Sequence, residues 1–102
     1  MRVLIFFDLP VKKKEERQKA TRFRNALLKD GFFMIQYSLY GRICNTIESA
    51  KMHEERVARM VPKSGSVRSL IVTEKQYASM QILVGTTEKK EKKRKVEQLC
   101  FF

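Results

Sequence analysis

From Arg2 to Asp8 both alternating sets of positions are apolar, Val3, Ile5 and Phe7 on one face and Leu4 and Phe6 on the other. Such a run predicts a strand over residues 2–8 that is buried on both sides. The strand carries one carboxylate, Asp8, to its end. Pro10 then breaks the chain and Lys12-Lys13-Lys14 follows. Ala20, Phe23 and Leu27 recur at helical spacing and predict a helix over 14–29. Asp30-Gly31 closes it, with glycine suited to the left-handed cap position.

Residues 32–44 are rich in strand formers and too long for one strand, so they read as two, turning near 36–38. No Asn-Gly or Asp-Gly marks that turn. Asn45 with Glu48 has the spacing of a capping box, opening a helix that runs to about residue 61 and stops at Pro62. His53 borders its apolar stripe and reads as helix packing. Residues 66–73 form the next strand, Thr73 and Gln76 cap a short turn over 74–80, and residues 81–84 read as a short last strand.

The order β-α-β-β-α-β is the ferredoxin-like arrangement, an α+β fold, here with a short extra C-terminal strand. Residues 1–85 make that domain, and 86–102 form a basic linker with an apolar tail. Two helices cover one face of such a sheet and leave the other open. Exposed Leu4 and Phe6 would form an apolar patch of a kind monomers avoid. The expectation is therefore a homodimer whose sheets meet. Aromatic platforms for RNA bases are the rival use of an open face, but residues 67–71 lack the aromatic run this needs.

Charge narrows the partner. The chain of 102 residues has 22 Lys+Arg against 11 Asp+Glu, a net +11. Residues 88–95 hold six basic and two acidic residues, while 1–87 hold 16 and 8, so the body is basic on its own. A field of that sign gathers polyanions and points to nucleic acid. Lys12, Lys13, Lys14, Arg17, Arg22 and Arg24 are the candidate phosphate contacts, which position without reading sequence. A solvated helix face is the alternative. Arg42 and Arg68 are weaker candidates.

For hydrolytic chemistry Asp8 is the one carboxylate well placed to bind Mg²⁺, and a magnesium site wants more than one anionic ligand. A twofold partner would supply a second Asp8. Otherwise Asp8 only accepts hydrogen bonds from the backbone that follows, and local sequence leaves both readings open. One histidine and two separated cysteines, Cys44 and Cys100, do not make a zinc site. No secretory or membrane-spanning pattern is evident, so a cytoplasmic location with reduced thiols is expected. In the tail, Val96, Leu99, Phe101 and Phe102 form an apolar ending that reads as a docking segment for a partner protein, with terminal fraying the alternative.

Residues 2–10 (RVLIFFDLP), 31–40 (GFFMIQYSLY), 65–68 (GSVR) and 72–77 (VTEKQY) together resemble the CRISPR-associated protein two family. The likeness covers about residues 2–85, and the ending QLCFF is similar to the terminal strand of members from type II systems. Ser38-Leu39-Tyr40 stands where many members have Ser-Val-Phe. The resemblance implies a ferredoxin-like homodimer seated between two dimers of the CRISPR integrase. There it helps hold and measure the double-stranded DNA that becomes a new spacer. It also implies Asp8 as the metal-binding, catalytic residue of a Mg²⁺-dependent endonuclease acting on single-stranded RNA or double-stranded DNA. A DNA-binding adaptation subunit is the leading expectation and the nuclease the second. A toxin-type ribonuclease of the same fold is the third.

Overall fold

The strand that is apolar on both faces sits inside the sheet. In the computed structural model, which describes residues 1–85, β1 (Arg2–Asp8) pairs with β3 (Leu39–Ile43) on one side and β4 (Ser66–Val72) on the other. With β2 (Phe33–Gln36) the order is β2-β3-β1-β4, antiparallel throughout. This is the four-stranded antiparallel α+β sheet that the element order predicts. Ile5 stands opposite Tyr40 and Ser69, and Asp8 opposite Ser66.

α1 (Lys14–Lys29) buries Ala20, Phe23 and Leu27, the last two in one core cluster with Val3, Ile5 and Phe7, to which α2 (Ile47–Ala58) adds Ala50 and Val57. Phe7 meets Phe23 edge-on, ring centres 5.2 Å apart, the favoured aromatic geometry. α1 ends as its sequence predicts. Gly31 has φ +91°, Gly31 N–H donates to Leu28 O and Phe32 N–H to Leu27 O, a complete Schellman motif. A Cβ on Gly31 would also run into the Arg42 guanidinium.

Three expectations need correction. α2 is capped by Thr46, whose hydroxyl accepts Ser49 N–H at 3.0 Å, not by Asn45. It ends at Ala58 with Arg59 as its C-cap, short of Val61, for which the following Pro62 disfavours helical geometry. Residues 81–84 form no strand: Leu83 and Val84 are exposed, and a strand needs an edge to pair with.

The second sheet face is not left wholly open. α3 (Glu74–Ala78) folds over it, and Tyr77 packs with Leu4 and Leu39, flanked by Ile35, Val72 and Met80. The cap on α3 is the one the sequence predicts, with Thr73 and Gln76 exchanging hydrogen bonds of 2.8 and 3.0 Å. Arg2, on the same face, donates to the Glu74 carboxylate at 2.9 Å and lies 3.9 Å over the Tyr77 ring. Phe6 (39% exposed), Leu70 (51%) and Ile43 (54%) remain uncovered. The predicted apolar patch is real but smaller than a fully open sheet would leave. Residues 86–102, with the predicted docking tail, lie outside the described residues.

Candidate nucleic-acid interface at the end of the first strand

Side-chain alternation puts Leu4, Phe6 and Asp8 on the sheet face away from α1 and α2. Asp8 is exposed, and its carboxylate has no hydrogen-bond or ion-pair partner among the described residues. The backbones of β1 and β4 come close here. A Cβ on Gly65, φ +93°, would stand 2.7 Å from the Asp8 carbonyl oxygen, so a residue without a side chain is required. The same register brings Arg68, opposite Phe6, onto the face that carries Asp8. Sequence alone ranks Arg68 low, because strand pairing is a long-range property.

The cations gather just beyond Asp8. Lys12 and Lys13 lie on the loop into α1, and Lys14 opens the helix. A lysine side chain has no acceptor, so this helix start is secured by Glu16, whose carboxylate accepts Lys13 N–H at 2.8 Å. Lys14, Arg17 and Arg22 line one open groove of about 470 Å³ with Gln18 and Thr21. Arg24 is outside that groove, half-buried, and reaches back to Thr21 at 3.4 Å. Arg17 has a further task. Its Nη1 donates to the carbonyls of Lys12 at 2.8 Å and Val11 at 3.1 Å, pinning the loop that bears the lysines. Arg42 is set apart from these cations: half-buried against Gly31, its Nε has no partner among the described residues.

His53 is buried, as predicted for packing, and also bridges two helices. Its Nδ1 lies 2.8 Å from Oδ2 of Asp30, and Arg56 donates to Oδ1 at 2.6 Å. Burial alone would raise the Asp30 pKa. The hydrogen bonds and positive charge of His53 and Arg56 outweigh it, so the carboxyl titrates below its ordinary range. This cluster joins α1 to α2, away from the strand end.

The model of the family described as CRISPR associated protein Cas2 matches residues 1–80. The CRISPR-associated endoribonuclease Cas2 of Acidovorax ebreus is 51% identical over 102 residues, all of both chains. This chain belongs to the Cas2 family. The Cas2 endoribonuclease of Campylobacter jejuni is 46% identical over all of this chain and 71% of its own length. The one from Lacticaseibacillus rhamnosus is 51% identical over 84% of this chain and 85% of its own. The crystal structure of Streptococcus pyogenes Cas2 at pH 6.5 superposes with a TM-score of 0.63 at 16% identity, covering 82% of this chain and all of that one. That likeness concerns the fold.

Among the described residues no three His, Cys, Asp or Glu side chains come together around a common point. Mg²⁺ prefers octahedral oxygen and is usually held by one or two carboxylates together with substrate phosphates. Asp8 alone therefore does not fit a resident ion. The free thiol of Cys44 is buried in the core and offers no ligand at the site. No helix among the described residues is long and apolar enough to cross a membrane.

Proposed function

We propose that this chain works as a dimeric, double-stranded-DNA-binding subunit of CRISPR spacer acquisition, bridging dimers of the integrase. The observation that carries the reading is the cationic rim at the end of the sheet. Lys12 and Lys13 are held out on a loop clamped by Arg17, beside the groove lined by Lys14 and Arg22. Such contacts neutralise phosphates irrespective of sequence, as capture of unrelated DNA requires. Membership of the family supports the CRISPR setting, and exposed Phe6, Leu70 and Ile43 support pairing through the sheet face. The tail residues Val96, Leu99, Phe101 and Phe102 then serve as the segment that docks on the integrase. Deleting 96–102 should abolish co-purification with the integrase.

The name endoribonuclease, borne by the relatives, favours a second reading in which the dimer cuts nucleic acid through Asp8. Two copies of Asp8 near a twofold axis would provide the carboxylate pair that one protomer lacks, with substrate phosphate completing a Mg²⁺ shell. Asp8→Ala separates the two. A folded Asp8→Ala dimer that retains duplex binding and spacer acquisition supports the first reading. Loss of both with the fold intact overturns it.

A further inference from the structure

Of the large apolar side chains in the fold, Tyr37 is spent in an unusual place. It occupies the β2–β3 hairpin tip, 89% exposed, and contributes nothing to either core cluster. The tip is not loose. Ser38, next to it, has φ +67°, a left-handed conformation that a residue with a Cβ adopts at a cost. Its carbonyl accepts the N–H of Phe7 at 3.0 Å, tying the turn to β1 one residue before Asp8. Only the second loop residue has positive φ, so the turn is not the Asn-Gly type with both residues positive. The result is a solvent-facing phenol ring on a turn whose backbone is fixed to β1, at the end of the sheet that holds Asp8.

We propose that Tyr37 is a stacking platform for an unpaired nucleobase, so that this end of the molecule discriminates single-stranded or frayed nucleic acid from blunt duplex. The inference rests on the nucleic-acid reading above and adds a substrate preference to it. Phosphate contacts by Lys12, Lys13 and Lys14 do not sense whether a base is paired, and the denser charge of a duplex favours it over a single strand at such contacts. An aromatic face rewards only a base free to leave its stack, and it does so whatever the base. A tyrosine also loses little freedom in the process, having two side-chain torsions. An aromatic so largely exposed has little packing for a substitution to disturb, which makes the site clean to test.

The test measures the affinity of the full-length parent, Tyr37→Ala and Tyr37→Phe for a single-stranded oligonucleotide and for a blunt duplex, at one fixed salt concentration. Tyr37→Ala should lose roughly 5- to 160-fold on the single strand, the range of one base–aromatic stack, and less than about twofold on the blunt duplex. Tyr37→Phe should keep the parent's affinity for both. Equal losses on the two ligands would assign Tyr37 to backbone contact and overturn the stacking proposal, as would no loss on either. Should the parent bind blunt duplex but not single strand, the proposal falls and the nucleic-acid reading stands. Binding of neither by the parent removes both. A single strand carrying 5-iodouracil gives an independent check: irradiation on the parent should attach it at Tyr37, and attachment solely at other residues would refute the platform.

Discussion

Arg17 grips the backbone of Lys12, its Nη1 donating to that carbonyl at 2.8 Å and to the Val11 carbonyl at 3.1 Å. An arginine that looks like one more phosphate contact is thereby the clamp that presents others. Arg17→Ala should weaken duplex binding about tenfold, since a hydrogen bond from a charged donor contributes about 1.5–3 kcal/mol. Lys19→Ala, an exposed cation two residues along the same helix, should cost far less. Arg17→Lys should not restore affinity, because an ammonium lacks the planar fork. Titration at fixed salt decides it, and equal losses for Arg17→Ala and Lys19→Ala would remove the clamp from the account.

Replacing Lys12, Lys13 and Lys14 together by alanine tests the rim itself. Each phosphate neutralised on duplex DNA contributes about 0.9 to the slope of log affinity against log salt. The triple variant should therefore lower the magnitude of that slope by about 2–3. Binding measured across a salt series gives the slope directly. An unchanged value would mean that DNA lies elsewhere on the protein.

Leu70 is half-exposed within one chain, so a charge there disturbs the protomer little and an apolar interface greatly. Leu70→Glu is expected to sediment as a folded monomer at concentrations where the parent is dimeric. Its own stability should change by only about 0.5 kcal/mol, as for surface substitutions generally. Persistence of the dimer in both Leu70→Glu and Phe6→Glu would rule out pairing through this face.

Asp30 ties stability to pH in a fixed direction. Its pKa is lower in the fold than in the unfolded chain, because His53 and Arg56 hold the carboxylate. The unfolded chain therefore binds its proton first as pH falls. The contribution is complete above the ordinary carboxylate range and disappears as pH drops through that range to the folded value. At neutral pH, Asp30→Asn should destabilise by about 1.5–3 kcal/mol, the scale of charge-assisted hydrogen bonds. The variant and parent should converge in acid. Urea unfolding at pH 7 and pH 3 should show the gap narrowing, and a gap undiminished at pH 3 would contradict it.

Features set by local periodicity were legible in the sequence. β1 and α1 have the predicted bounds, and the Asp30-Gly31 stop is there with the predicted glycine geometry. Asp8 could be placed at a strand end for the same reason. What escaped depends on contacts between distant residues. Nothing near Tyr77 announces that it will cover Leu4, seventy-odd positions away, and so the second face looked barer than it is. Arg17 advertises its charge but not the carbonyls that receive it. The partnership of His53 with Asp30 spans two helices and has no sequence spacing to betray it. The short strand over 81–84 was an over-reading of apolar content, which does not by itself supply an edge to pair with.

The cover that Tyr77 places over Leu4 and Leu39 bears on the order of events after synthesis. Leu4 on the second face is covered without a mate, so under the proposed pairing folding would be a first-order process and association a separate, second-order one. Obligate dimers, by contrast, have no stable folded monomer. Dilution should then release intact single copies rather than denatured ones. The pairing step becomes a point at which cellular concentration sets how much assembled protein exists.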